Sequence, residues 1–181
     1  MNAAHLRRVI HVGSALLLII PAAISWPVLR VGLAAGTPLV LGLDWLRRRQ
    51  PGVATFLGRV APVFRPAERA RISGAAWLWI GYALAAWCPP VAAQGGILAG
   101  ALADPAASLV GGRWGAGARK SWVGTGAACA VAAVAVLIAG TPWPGAAAAG
   151  LVAGALERWS GPLDDNLTIA PGVAVFLWLV S

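Results

Sequence analysis

Charge is what this sequence has least of. Only 11% of its 181 residues are Asp, Glu, Lys or Arg, where a soluble domain carries about 25%. With 59% hydrophobic residues and a mean hydropathy of +0.76, a water-soluble fold of this length could not hide its apolar surface. Acidic residues are scarcest, six against fourteen basic, leaving a net charge of +8. The basic residues lie between apolar runs rather than on one soluble face, which argues against a nucleic-acid partner. That placement suits anionic lipid headgroups and phosphorylated substrates. The two cysteines, Cys88 and Cys129, sit in or at the end of apolar stretches. They make neither a disulfide framework nor a zinc knuckle and read as small core residues. No alternating segment of about ten residues recurs, as a membrane β-barrel would need, and no internal repeat is convincing.

What remains is a series of apolar segments: Val9–Trp26, Val28–Leu46, Ser73–Trp87, Val91–Val110, Trp122–Ala139, Ala146–Leu156 and Leu167–Val180. Crossing a bilayer as helix takes about 20 residues. The pattern therefore predicts an all-α polytopic membrane bundle of about seven transmembrane helices. It forms a single integral domain over 1–181, with a basic cytoplasmic connection at 47–72 that is a candidate interfacial amphipathic helix. The first segment follows Arg7 and Arg8 and is read as a retained helix rather than a leader peptide. Pro21, Pro27, Pro38 and Pro105 predict kinks or breaks. With a cytoplasmic N-terminus, thirteen of the fourteen basic residues fall on or near the cytoplasmic side, Arg30 being the exception. All six acidic residues lie toward the same face. Trp26, Trp45, Trp87, Trp114, Trp122, Trp143 and Trp159 fall near segment ends, as in an interfacial aromatic belt. Gly150 and Gly154, four apart in an Ala-rich segment, predict a close helix–helix approach.

Four polar groups carry candidate chemistry. Asp104 lies inside an apolar segment, where a lone carboxylate costs about 2.5–3.5 kcal/mol on insertion scales. It therefore needs a metal, a catalytic setting or a structural arginine. The stretch from Gly111 to Gly124 is glycine-rich and carries Arg113, Arg119 and Lys120. Its backbone N–H groups suit an anion, and Ser121 can cap the next helix. It lacks the full spacing of a Walker A loop and also reads as an ordinary basic loop. Glu157, Asp164, Asp165 and Asn166 bracket the last short loop and suit either helix capping or Mg²⁺ held through oxygen ligands. Arg8 and His11 are three apart and share a helical face. Arg7 and Arg8 suit phosphate oxygens or topology anchoring; His11 suits a hydrogen-bond donor, a proton carrier or a packed side chain. Asp44 can pair with one of Arg47 to Arg49.

Taken in order along the chain, these groups resemble the membrane lipid kinases that include dolichol kinase, phytol kinase and CTP-dependent diacylglycerol kinase. The resemblance is carried by Arg7-Arg8-Val9-Ile10-His11-Val12-Gly13 and by Asp104-Pro105-Ala106-Ala107-Ser108-Leu109-Val110-Gly111-Gly112-Arg113-Trp114-Gly115. Lys120-Ser121-Trp122-Val123-Gly124 and Glu157 with Asp164-Asp165-Asn166-Leu167-Thr168-Ile169 complete it, and Glu68 to Gly74 looks like a linker of the family. The chain departs from the family at Ala103, Val123 and Ala170, where Gly, Glu and Pro are usual. The resemblance implies phosphoryl transfer from CTP to the hydroxyl of a membrane lipid alcohol, with Mg²⁺ as cofactor. It implies Asp104, Asp165, His11 and Lys120 as catalytic residues. Arg7, Arg8, Gly111, Arg113, Arg119, Lys120, Ser121 and Gly124 would bind the nucleotide. Asp104, Glu157, Asp164, Asp165 and Asn166 would hold the metal. The expected setting is a bacterial inner membrane with the site facing the cytoplasm, and a homodimer is compatible with the sequence. A related cytidylyltransferase forming a CDP-lipid is the first alternative, and a non-enzymatic transporter or scaffold the second.

Overall fold

The computed structural model describes residues 3–23, 25–60, 64, 68, 70–115, 120–160 and 163–181, and among them there is no β-strand. The expected all-α fold is what these residues form. The chain begins with α1 (Ala3–Gly13), a 3₁₀ stretch (Ser14–Leu18) and α2 (Ile19–Ala23), followed by α3 (Trp26–Arg49) and α4 (Pro51–Val60). After Ser73 come α5 (Gly74–Ala85), α6 (Pro90–Trp114), α7 (Trp122–Ile138), α8 (Trp143–Trp159) and α9 (Asp165–Val180).

Local chemistry sets the helix ends. The Ser73 hydroxyl accepts from Ala76 N–H at 3.3 Å, Ser121 from Gly124 N–H at 3.1 Å, and the Asp164 carboxylate from Asn166 N–H at 3.1 Å. Each satisfies one orphan donor of a first turn. Pro27 stands in the first turn of α3, where its missing N–H costs nothing. The predicted breaks at Pro38 and Pro105 do not occur: α3 and α6 run through both. Segment six, read as Ala146–Leu156, extends to 143–159. Segment four, read as ending at Val110, continues to Trp114.

Helix α6 is central, packing on α7 and α9, while α8 closes against α7 and α9, α5 lies on α9, and α3 lies on α5. The interior is built of small residues, among them Ala93, Ala99, Ala101, Ala132, Ala149, Ala153 and Ala170, all fully buried. Such a core works only when backbones come close. A Cβ on Gly150 would stand 2.5 Å from the Cys129 carbonyl oxygen, so α8 meets α7 at the glycine pair picked out by sequence. A Cβ on Gly96 would strike the Ala170 carbonyl oxygen.

Large apolar side chains point the other way. Ile138 is 73% exposed and Leu179 78%, and Leu39, Leu109 and Leu151 also face outward. Two stretches, Ala4–Ala23 and Trp26–Arg49, are long and apolar enough to cross a membrane. Only 6% and 11% of their apolar windows are buried, unlike the core helix of a soluble protein. Arg30, the exception to the one-sided charge distribution, donates to the Ala86 carbonyl oxygen at 2.7 Å and to that of Cys88 at 3.0 Å, satisfying the end of α5.

Candidate functional site

The caps that start α7 and α9 stand near the ends of α6 and α8, and the space between them is a cavity of about 700 Å³. Small-molecule sites occupy about 300–1,000 Å³. Asp104, from within α6, lines it together with Lys120 and Ser121 before α7, Glu157 at the end of α8, and Asp164 and Asp165 at the start of α9.

Lys120 ties three of these elements together. Its ammonium donates to Asp165 Oδ2 at 2.9 Å, lies 3.3 Å from Glu157 Oε1, and also donates to the Glu157 backbone carbonyl. Burial alone would lower the lysine pKa. The hydrogen bond and charge of Asp165, with the charge of Glu157, outweigh it and raise the value above that of a free lysine. Glu157 is only 6% exposed, and its other oxygen accepts from the Thr125 hydroxyl at 3.0 Å. Both carboxylate oxygens of Glu157 are therefore engaged inside the protein.

A second cavity of about 50 Å³ adjoins the first, and Asp104 and Glu68 line both. Its wall includes Arg7, Ile10, His11, Phe64, Leu78 and Asn166. His11 is 6% exposed, and its Nδ1 lies 3.4 Å from Asp104 Oδ2, which joins α1 to α6 at the boundary of the two cavities.

Glu68 is placed from a distance. Arg47, only 7% exposed, donates to Asp44 Oδ1 at 2.9 Å and to the backbone carbonyls of Glu68 at 3.0 Å and Arg71 at 2.9 Å. Ser73 N–H donates to the same Asp44 oxygen at 3.2 Å, and Gly74 N–H donates to Glu68 Oε1 at 3.3 Å. The pairing of Asp44 with Arg47 and Arg48, open in the sequence, is thus a clasp that sets the course of residues 68 and 70–73 beside the cavity.

Several expected residues are not gathered into the large cavity. Arg7, His11 and Asn166 line the small one. Arg8 lines neither, and its Nε is buried without a hydrogen-bond partner among the described residues. Arg113 is exposed and stacks at 5.3 Å on the Trp114 ring. Arg119, with residues 116–118, lies outside the described residues. Gly111 belongs to the last turns of α6, where it accepts from Gly115 N–H at 2.8 Å. This helix end presents carbonyls rather than free N–H groups, so Gly111 to Gly115 do not form an anion cradle. Gly111 and Gly124 line the cavity but serve close packing: a Cβ on Gly111 would stand 2.9 Å from Ser121 Oγ, and one on Gly124 2.9 Å from the Ala107 carbonyl oxygen.

Sequence reasoning passed over Arg71, Arg158, Trp77 and Trp159, which line the large cavity, and treated Glu68 as linker. Arg158 stacks 3.6 Å above the Trp122 ring, and Trp122 meets Trp159 edge-to-face at 6.0 Å. The adjacent Glu157–Arg158–Trp159 run was the available signal for two of these residues.

For a metal the donor set is suitable but open. Five carboxylate residues line the large cavity against three basic ones, an excess of negative charge that favours a cation. Among the described residues no three His, Cys, Asp or Glu side chains converge on a closed metal cage. Mg²⁺ characteristically takes one or two carboxylates and completes its shell with water and substrate phosphates; Asp104 and Asp164 both line the large cavity.

Compared with known protein families, with curated proteins and with solved structures, the chain finds no match in any of the three. The resemblance to lipid kinases therefore stands on its motif residues alone.

Proposed function

We propose that this chain is a multi-pass membrane enzyme of the bacterial inner membrane that transfers the γ-phosphoryl group of CTP to the hydroxyl of a lipid alcohol. The observation that carries the reading is the convergence of Asp104, Lys120, Glu157, Asp164 and Asp165 on one cavity at an end of a bundle with apolar outer faces. An interior of alanine with leucine and isoleucine outside is the arrangement expected when lipid tails, not water, surround the helices. The exposed Trp45, Trp87, Trp114, Trp122, Trp143 and Trp159 at helix ends suit the interfacial zone.

The two adjoining cavities suit two substrates. The larger accommodates the triphosphate. The smaller, lined by Ile10, Phe64 and Leu78 beside His11 and Asp104, accommodates the hydroxyl end of a lipid. The His11–Asp104 contact fits Nδ1–H donating to the carboxylate, which orients Nε2 as the base for the alcohol proton. The alcohol oxygen then bonds to the γ-phosphorus, the bridging P–O bond breaks, and CDP leaves. Lys120 positions Asp165 and the end of α8 rather than contacting phosphate. Mg²⁺, held by Asp104 and Asp164, would neutralise charge on the phosphate oxygens. Holding the two reactants side by side in adjoining cavities converts an encounter into an oriented reaction.

The test is turnover by the purified protein with γ-labelled or α-labelled CTP, or with ATP, against a panel of polyprenol, phytol-like and diacylglycerol acceptors. Label is expected in the lipid from the γ-position and to fall about 10³-fold or more in Asp104→Asn, the scale of losing an electrostatic catalytic group, with the melting temperature retained. Lipid labelled from the α-position would establish a cytidylyltransferase instead. No turnover on any acceptor would favour a transporter or scaffold.

A further inference from the structure

The cations nearest the expected substrate in sequence are not those best placed to bind it. Lys120 has three donors, and its neighbours Asp165 Oδ2, Glu157 Oε1 and the Glu157 carbonyl account for them. Arg113 points away to Trp114. Two guanidinium groups remain at the large cavity, those of Arg71 and Arg158. Among the described residues neither is paired with a carboxylate. Arg158 lies flat on Trp122, and its Nη1 is buried with no acceptor among the described residues. A guanidinium N–H left so is unfavourable until an acceptor arrives. Arg71 is exposed on the rim, its backbone carbonyl held by Arg47 through the Asp44 clasp.

We infer that Arg71 and Arg158 are the phosphate-binding residues of this cavity, taking the oxyanions of a nucleoside triphosphate or of a lipid phosphate headgroup. This rests on the phosphoryl-transfer reading and names the residues that grip its donor. A planar fork of donors matches phosphate oxygens in a way an ammonium does not. Arg158 is already pre-oriented by its aromatic face, so little freedom is lost on binding. The carboxylate excess explains why the two arginines alone would hold a polyanion weakly and why binding should require a divalent cation.

Binding to the full-length protein in micelles, with Mg·CTP and short-chain phosphatidate titrated separately, tests this for wild type, Arg71→Gln, Arg158→Gln and Arg158→Lys. Each Gln variant should weaken Mg·CTP binding by about tenfold or more, as loss of a charge-assisted contact does. Arg158→Lys should recover part of the loss. Tryptophan-detected melting checks folding, and the exposed Arg71→Gln carries the test if Arg158→Gln does not fold. Weakening of phosphatidate binding alone would support the phosphate site with a headgroup as its ligand. Unchanged affinity of the variants for both ligands would overturn the inference while leaving the kinase reading intact. Failure of wild type to bind either ligand would overturn both.

Discussion

Helices α1 to α3 and helices α5 to α9 hold their neighbours by different means. The later helices are sealed by alanine and glycine, and their contacts depend on backbones lying close together. The earlier ones keep most of their apolar surface outside; Leu29 and Leu33 enter the core and Gly36 lies against the Trp79 ring, and the rest of the attachment is a set of discrete polar contacts. His11 meets Asp104, the hydroxyls of Ser14 and Tyr82 pair at 2.7 Å, and the Trp79 ring N–H donates to the Leu33 carbonyl at 3.0 Å. Arg30 reaches the end of α5, and Asp44 with Arg47 clasps the approach to it. Close packing tolerates no added volume, whereas a polar clasp tolerates volume but not loss of a partner.

Substitutions in the two regions should therefore differ in effect. The largest effect is expected from Gly150→Leu, whose new side chain meets the α7 backbone. Overpacking against backbone costs about 3 kcal/mol or more, read as a lowered midpoint of unfolding or failure to assemble. The same change at Gly32 in α3, where a Cβ meets nothing within 4 Å, should be nearly silent. Next comes Arg47→Ala. It strips a buried carboxylate of one of its two cations, and breaking such a pair costs about 3–5 kcal/mol, reduced here because Arg48 also lies 3.2 Å from Asp44. On the proposed kinase reading, its distinctive consequence should be a rise in KM for CTP, since the segment carrying Glu68 and Arg71 loses its anchor.

A smaller effect is expected from pH. The Lys120 pKa is raised on folding above the ordinary 10.5. Its stabilising contribution is therefore complete below that value and lost as pH climbs through the folded-state pKa. Wild type should lose melting temperature above pH 10.5 more steeply than Lys120→Met. The smallest effect is expected from Ser14→Ala, which removes the partner of Tyr82, at about 0.5–1.5 kcal/mol for one hydrogen bond. Equal losses from Ser14→Ala and Gly150→Leu in the same melting assay would erase the distinction between the two regions.

Much of the helical layout was legible because it is local. Ser121 and Asp164 announce helix starts by their capping chemistry, and apolar runs mark the helices they open. Gly150 and Gly154 announced their helix contact by spacing alone. Pro38 and Pro105 do not end their helices, because a proline removes one N–H and crowds one carbonyl, a loss that a long packed helix absorbs. Gly111 and Gly112 lie within a helix that runs on to Trp114, so that stretch ends in carbonyls where the sequence suggested free donors. In the candidate site, Asp104, Lys120, Asp164 and Asp165 stood out as charges beside apolar segments. Arg158 was marked only by its place beside Glu157, and Arg71 not at all, since nothing in its local sequence separates a cation that faces a cavity from one that faces solvent.

By itself the sequence determined a helical chain with small-residue contact faces, apolar outer faces and charges at segment ends, because periodicity, capping and side-chain volume act over a few residues. Only the tertiary structure decided that Asp104 meets His11, that Lys120 is consumed by Glu157 and Asp165, and that Arg71 and Arg158 border the same space. Those pairings depend on how α6 to α9 return past one another and on where the Asp44–Arg47 clasp sets the chain before α5. Such distances are fixed by packing between residues far apart in sequence, where no local rule reaches.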